Sequence, residues 1–222
     1  MKKAIIVFSL IFLTATFIQA QLVKSIALKS GIVWANQDWE WMNVSDNGIY
    51  NYNTGLHFAL DAEFLHHRFL SIISEAGYIE KGMSLEHEIT HVDLPEGTGE
   101  MKTFNTNFNY LYLSPLLKAR IEFGKFIPYA FIGPRADFYL SYRSDLNYDE
   151  IEKNMNKVVF GMIYGLGLEY ILGPVGIAMI YSQQIDFMPT LENTPPHGAG
   201  LEKIINNAFI LDLGIKYYFR KK

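Results

Sequence analysis

The sequence predicts an all-β protein: an eight-stranded antiparallel up-and-down transmembrane β-barrel that follows an N-terminal signal peptide. Three observations predict this fold. Apolar and polar residues alternate with period two over segments of about ten residues, which is the length of a tilted membrane strand. The connections between these segments alternate between tight turns and long polar loops. Residues 1–20 have the form of an export signal.

The composition excludes several classes of protein. Apolar residues make up 50% and aromatic residues 15% of the chain, and such a chain buries enough surface to offset its ordering entropy. Charged residues account for 19%, below the roughly 25% usual in soluble domains. With 19 basic against 23 acidic residues, no cationic surface for nucleic acid is expected. The lack of cysteine excludes a disulfide scaffold and a thiolate zinc site.

The first predicted segment is a signal peptide over residues 1–20. Lys2 and Lys3 precede an uncharged run over residues 4–18, and Ala20 supplies the small residue before the cleavage point. This run is shorter than the roughly 20 residues that a membrane-spanning helix needs. We therefore expect export, cleavage after Ala20, and a barrel domain over residues 21–222.

The eight predicted strands each place large apolar side chains on one face. They cover residues 26–35, 55–64, 70–78, 111–123, 129–142, 159–172, 175–182 and 208–219. The sixth shows the pattern most cleanly, since Phe160, Met162 and Tyr164 share a face with Leu166, Leu168, Tyr170 and Leu172. The fifth changes parity near Gly133-Pro134, where a proline cannot donate to a ladder, so a bulge is predicted there. In that interpretation Tyr129 and Phe131 precede the bulge on the apolar face, and Ala136, Phe138, Leu140 and Tyr142 follow on it.

The connections and aromatic residues give the barrel its polarity. Tight turns are predicted at residues 66–67, 124–125 and 173–174, and long loops at residues 37–50, 82–103, 143–157 and 186–206. An even strand count with short turns at one end and long loops at the other is typical of outer-membrane barrels. Aromatic residues cluster near strand ends, as membrane interfaces favour: Phe64, Phe69, Phe123, Phe126, Tyr170 and Phe219 near the turns, and Tyr78, Tyr142 and Tyr181 toward the loops.

The second face of each strand predicts a crowded polar interior. It carries charges of both signs between glycines and alanines: Lys29, Asp61, Glu75, Lys118, Arg120, Glu122, Arg135, Asp137, Glu169, Asp212 and Lys216. An eight-stranded barrel has room only for side chains, so we expect a satisfied network and no open pore. His57 is predicted to point inward beside Asp61. The alternative is a soluble lipocalin-like ligand carrier, in which the wet and apolar faces are exchanged.

Four short stretches carry a family resemblance. They are residues 69–82, residues 110–118 (Tyr-Leu-Tyr-Leu-Ser-Pro-Leu-Leu-Lys), residues 128–134 (Pro-Tyr-Ala-Phe-Ile-Gly-Pro) and residues 165–169 (Gly-Leu-Gly-Leu-Glu). In these the sequence resembles the PorT-like outer-membrane β-barrel family. The resemblance implies the same barrel fold. For the function, the resemblance implies an accessory role in a protein secretion or assembly machine.

One motif has the form of a catalytic site. His87-Glu88-Ile89-Thr90-His91 matches H-E-x-x-H, in which two histidines on one helix face bind zinc and the glutamate activates water. The pentapeptide lies in a predicted loop, and Asp93, Pro95 and Gly97 follow it without a helical pattern or a further ligand. We therefore predict no catalytic, cofactor-binding or metal-binding residue, and leave open whether His87 and His91 bind a metal.

The resulting hypothesis is a small, monomeric outer-membrane barrel of a Gram-negative bacterium without catalytic activity. Its expected role is structural, or an interaction with secretion or envelope proteins through the long loops. The membrane lipid is the other expected partner, and no cofactor is expected. Three alternatives remain open: an accessory of a secretion or assembly machine, a soluble ligand carrier, and a metal-dependent or lipid-modifying barrel enzyme.

Overall fold

The computed structural model describes residues 23–41, 44–45, 50–64, 67–88, 99–145, 155–192 and 201–219. The predicted signal peptide therefore lies outside the described residues. The regular elements are ten strands: β1 (Ser25–Trp41), β2 (Val44–Ser45), β3 (Asn51–Phe64), β4 (Leu70–Glu88), β5 (Met101–Arg120), β6 (Phe126–Ser144), β7 (Val158–Leu172), β8 (Val175–Asp186), β9 (Leu191–Glu192) and β10 (Leu201–Tyr218). In the described part of the chain, no helix is long and apolar enough to cross a membrane.

The eight long strands form one closed antiparallel ring, as the sequence predicts. Neighbours in the chain pair with each other in the order β1-β3-β4-β5-β6-β7-β8-β10, and β10 pairs back onto β1. The closing pair runs from Ser25–Tyr218 to Trp41–Leu201. The short strands β2 and β9 pair with β1 and β10 at the loop end of the ring. Closure leaves no free edge in the membrane, where unpaired backbone groups would find no water.

The two faces of the ring differ as the alternation predicts. Leu28 and Leu213 on the outer face are 64% and 67% exposed, whereas Lys29 and Asp212, their neighbours in sequence, are 4% and 1% exposed. The outer belt is therefore apolar and the interior is charged. A soluble ligand carrier requires the opposite arrangement, with apolar side chains inside and polar ones outside.

Several strands extend beyond the predicted boundaries. β4 continues to Glu88 and β5 begins at Met101, although residues 82–103 were expected to form a loop. β1 continues to Trp41 and β10 begins at Leu201, well inside two other predicted loops. The polar outer residues of these extensions, such as Asn107, resemble a loop in composition. Backbone pairing continues through them because ladder hydrogen bonds do not depend on the side chains.

The predicted bulge at Gly133-Pro134 is wrong. The register is the same on both sides of it, with Leu113 opposite Ala136 and Leu117 opposite Ile132. Only the ladder is interrupted, and the Ser114 hydroxyl donates a 2.7 Å hydrogen bond to the Pro134 carbonyl. The parity is therefore unchanged, and Phe131, predicted to face lipid, is 6% exposed inside the barrel.

The register shift between β5 and β6 lies higher, beside Leu140. Asn109 pairs with Ser141, whereas Tyr110 pairs with Tyr139, so Leu140 is the additional residue. This bulge turns Tyr142 toward the interior, where its ring lies 5.0 Å from that of Phe108. Tyr142 therefore does not belong to the outer aromatic girdle in which the sequence pattern placed it.

The remaining aromatic residues mark both ends of the outer belt. At the turn end, the rings of Phe126 and Tyr170 lie 4.8 Å apart, and Phe69, Phe123 and Phe219 are exposed. At the loop end, Tyr181 stacks on Phe209 with 6.4 Å between ring centroids. Tyrosine and phenylalanine are favoured at such levels because their rings suit the boundary between hydrocarbon and head groups.

Candidate functional site

The first cluster inside the barrel lies near the short turns, the end that faces the periplasm in outer-membrane barrels, and is called the periplasmic cluster. It contains Glu63, Lys118, Arg120, Glu169 and Lys216, none more than 6% exposed. Glu63 is its centre: Lys216 and Arg120 donate to its two carboxylate oxygens, the latter over 3.0 Å. Lys118 lies 3.5 Å from Glu63 and 4.0 Å from the ring centroid of Tyr129. The Glu63 carboxylate thus helps to neutralise the positive charges of three side chains.

The middle cluster lies farther from the short turns. Lys29 donates to Glu75 over 2.5 Å and lies 3.4 Å from Asp61. The Tyr112 hydroxyl donates to the other Glu75 oxygen, also over 2.5 Å. His57 forms two hydrogen bonds of 2.7 Å, one through Nδ1 with Asp212 and one through Nε2 with Tyr112. The inward direction of His57 is confirmed, but its partners are Asp212 and Tyr112 and not Asp61.

The third cluster lies toward the long loops, the end that faces outward in outer-membrane barrels, and is called the extracellular cluster. It contains two cations and two carboxylates: Lys81, Arg135, Asp137 and Asp186. Lys81 bridges Asp137 at 2.6 Å and Asp186 at 3.0 Å. Arg135 donates from Nε to Asp137 over 2.6 Å and from Nη2 to Asp186. Each of the four charges therefore has an oppositely charged partner, either on another strand or, for Arg135 and Asp137, two residues away on the same strand.

Apolar side chains fill the space around these clusters. One group lies toward the loops and contains Trp39, Ile79, Met83, Phe108 and Ile204, each 1% exposed or less. A second group lies lower and contains Ile73, Leu116, Phe131, Ile163 and Ile180. Between the periplasmic and middle clusters a cavity of about 30 Å³ remains. That volume has room for about two water molecules.

Most predicted interior charges lie in these clusters. Lys29, Glu75, Lys118, Arg120, Arg135, Asp137, Glu169, Asp212 and Lys216 are buried, and the Asp61 side chain is 14% exposed. Glu122 is the exception. Its side chain is 53% exposed because β5 ends at Arg120 and Glu122 lies in the following turn, 3.6 Å from Arg120.

The sequence interpretation missed three interior charges. Glu63 lay on the polar face of its predicted strand but was not counted among the interior charges, although it is central to the periplasmic cluster. Lys81 and Asp186 were missed because they lie outside the predicted strand boundaries. Both continue the alternation, since Ile79 and Gln184 are fully buried two residues earlier. Extending the period-two pattern into polar sequence would have identified them.

The structure gives the His87-Glu88 pair a strand conformation. Both residues belong to β4, where they pair with Lys102 and Met101. Neighbouring residues of a strand point to opposite faces, so the helical geometry of a zinc protease is absent here. The Glu88 carboxylate accepts a 2.7 Å hydrogen bond from the Gly99 amide. Residues 89–91 lie outside the described residues, and within those described no three histidine or acidic side chains are grouped for a metal.

The last feature of the site is a two-stranded extension above the ring. β4 and β5 pair up to Glu88–Met101, whereas β3 pairs with β4 only to Ser84 and β6 with β5 only to Thr106. Residues 85–88 and 101–104 thus form what we call the projecting ribbon. Its exposed side chains include Glu86, His87, Met101 and Lys102. Lys102 covers the Phe104 ring with 4.9 Å between Nζ and the ring centroid.

The comparisons with known proteins agree with this architecture. The family model for the outer membrane protein beta-barrel domain matches residues 19–188. The chain belongs to this family. It is therefore a protein of the Gram-negative outer membrane, and its closed ring of strands is the membrane domain. Among curated proteins, no relative matches the chain.

Two solved structures illustrate the similarity. Neisserial surface protein A is 10% identical, with a TM-score of 0.50 over 88% of this chain and 96% of that one. The outer membrane protein OprG from Pseudomonas aeruginosa is 12% identical, with a TM-score of 0.48 over 90% of this chain and 98% of that one. At such identities the first comparison shows a shared fold alone. The finer resemblance to PorT-like proteins stays a prediction.

Proposed function

We propose that this protein is a non-catalytic, non-conducting outer-membrane barrel that acts by binding another protein through its projecting ribbon. The observation that carries the proposal is the contrast between a filled interior and a backbone ribbon held out above it. A barrel built for transport needs a route through its lumen. A barrel built for attachment needs a rigid element that reaches beyond the membrane.

The filled lumen argues against transport. Any solute would have to separate the buried pairs of the extracellular cluster, including Lys81 with Asp137 and Arg135 with Asp186. Removing one partner from such a buried pair typically costs about 3–5 kcal/mol, because the other charge remains uncompensated. The solute would also have to pass the apolar groups that contain Phe108 and Phe131. A passive channel cannot meet these costs.

The projecting ribbon supports attachment. Among the described residues, residues 85–88 of β4 pair only with β5, so the other edge of β4 carries backbone donors and acceptors above the ring. An unpaired edge of this kind accepts an added strand from another chain. Because β4 and β5 continue from the ring into the ribbon without a break, the edge is already extended before a partner binds, which lowers the entropy lost on binding.

The partner can be sought by site-specific photo-crosslinking in the native envelope. A photoreactive residue replaces Glu86 on the ribbon, and matched controls carry it at Glu122 on the periplasmic side and at Leu213 on the lipid face. The proposal predicts a discrete protein adduct from position 86 and none at the controls. A secretion or assembly component in that adduct would support the accessory role. Equal adducts from all three positions, or lipid alone at position 86, would contradict the proposal.

A further inference from the structure

The outer face of β3, β4 and β5 combines a groove with polar groups at its upper end. The groove has a volume of about 520 Å³ and lies in the apolar belt. Ala76 forms its floor, because this small side chain stands in register between Leu60 and Leu113. Phe58 and Leu111 contribute to the walls and are about half exposed. The groove is therefore open to the hydrocarbon layer along its length.

Glu80 lies directly above this groove. It points outward, since Ile79 and Lys81 on either side are fully buried in the interior. Its carboxylate accepts hydrogen bonds from the Tyr78 hydroxyl over 2.9 Å and from the Leu56 amide over 3.1 Å. Tyr78 also lines the groove, so one side chain connects the acid to the apolar wall. Within the described part of the chain, no basic side chain forms a salt bridge with Glu80.

Asn109 adds a second polar side chain beside Glu80. It stands opposite Glu80 in the β4–β5 register, a position in which Cβ atoms are about 4.5–5.5 Å apart. Its amide nitrogen donates to Ser141 over 2.9 Å, and its Oδ1 is buried without a hydrogen-bond partner. Glu80, Asn109 and Ser141 form a polar line above Tyr78, Leu111 and Phe138. This line marks the upper edge of the apolar belt, where lipid head groups lie.

From these contacts we propose that the outer face binds a membrane lipid whose head group carries a primary ammonium. Its hydrocarbon chain fills the groove over Ala76, and its ammonium group binds the Glu80 carboxylate. Glu80 gives the head site a net negative charge and carboxylate lone pairs, and a primary ammonium offers three donors and a positive charge. An anionic head group would meet repulsion, and a quaternary ammonium has no N–H to donate.

The second outer groove provides an internal comparison. It has a similar volume of about 500 Å³ and also has small residues at its floor, Ala119 and Ala130. The polar contact beside it joins the Tyr164 hydroxyl to Gln183, which is a neutral pair. This groove has room for an acyl chain but lacks a carboxylate. It should therefore hold lipid without selecting the head group.

The test measures retained lipid. Purified protein in nanodiscs of phosphatidylethanolamine or phosphatidylcholine with matched acyl chains is released into detergent, and the lipids that stay bound are counted by native mass spectrometry. The proposal predicts at least about fivefold greater retention of phosphatidylethanolamine, as a charge-assisted hydrogen bond implies. Glu80→Gln should abolish the preference, and Glu86→Gln, higher on the same strand, should preserve it. Ala76→Leu should lower retention of both lipids, and Ala119→Leu should leave the preference intact.

A covalent readout locates the head group. A lipid-soluble carbodiimide joins a carboxylate to a primary amine with loss of water, so an adduct of one phosphatidylethanolamine should map to Glu80 and vanish in Glu80→Gln. Equal retention of the two lipids, or an unchanged preference in folded Glu80→Gln protein, would overturn the proposal. Retention of anionic phosphatidylglycerol that requires Mg²⁺ would also overturn it and would assign the site to a metal-bridged anionic lipid. Folding of each variant is checked by its heat-dependent gel mobility.

Discussion

At the scale of single residues, the interior depends on carboxylates that each compensate more than one cation. Glu63 has contacts with Lys118, Arg120 and Lys216, and Glu169 supports two of these three. Burying charge is costly, and these groups are tolerated because the ion pairs and hydrogen bonds cover them. The residues that matter most are thus those whose loss isolates several charges at once.

Glu63→Ala should be strongly destabilising. It leaves Arg120 and Lys216 without their main acceptor in a closed lumen, and the expected loss is about 3–5 kcal/mol of unfolding free energy. Urea titration in lipid vesicles, followed by tryptophan fluorescence, measures it. Glu122→Ala is the matched control, because its carboxylate is exposed and the change should stay within about 0.5 kcal/mol. A similar effect at both positions would contradict the role given to Glu63.

Gly133→Ala should also destabilise the barrel, through sterics. A Cβ at Gly133 would collide with the backbone carbonyl of Pro115 on the neighbouring strand, so β5 and β6 would have to separate. Overpacking of this kind costs about 1–3 kcal/mol. Gly214→Ala is the control, since its Cβ would meet Lys29 Cγ at 3.4 Å, an ordinary contact. The same urea titration compares them, and equal stability of the two variants would refute the close approach.

At the scale of the strands, the period-two pattern predicted the central part of every long strand, since each has one face in lipid and one in the lumen. The prediction failed where the type of a residue was considered without the residue opposite it on the neighbouring strand. Pro134 suggested a bulge, but extended backbone accommodates proline, and the Ser114 hydroxyl donates to the Pro134 carbonyl where the ladder is interrupted. The real bulge at Leu140 has no sequence signal. Leu140 is apolar and therefore fits the outer face of the predicted alternation whether or not a bulge is present. The ends of strands were missed where the outward-facing residues become polar, because the apolar–polar alternation is then lost although backbone pairing continues.

Cysteine scanning of β6 tests the corrected parity, and the chain has no native cysteine to interfere. A lipid-soluble maleimide should label Ile132→Cys and Phe138→Cys, whose native side chains are exposed to lipid. Phe131→Cys and Tyr142→Cys should resist labelling, because both positions face the interior. Mass spectrometry of the folded protein counts the adducts. A bulge at Gly133-Pro134 would instead make Phe131→Cys reactive.

At the scale of the whole molecule, interior and exterior have separate tasks. The exterior supplies an apolar belt and the interior supplies cross-strand contacts, so every long strand contributes to both. The sequence predicted this division, because charge on one face and bulk on the other are visible in the alternation. It did not predict which charges meet. The contacts of His57 with Asp212 and of Lys81 with Asp186 join residues more than a hundred positions apart, and their pairing depends on the stagger of the closed ring.

The filled lumen is the central claim, and planar-bilayer recording of the pure, folded protein tests it most directly. Wild-type protein should give no steady conductance at voltages at which a sixteen-stranded porin, inserted in the same way, conducts, because the ion pairs of the extracellular cluster and the apolar groups fill the lumen. The protein is delivered to the bilayer in lipid vesicles, and its folding is verified by the heat-dependent gel mobility of protein recovered from those vesicles. Steady single-channel steps from the inserted wild-type protein would contradict the account, since ions would then have a route past Lys81 and Arg135.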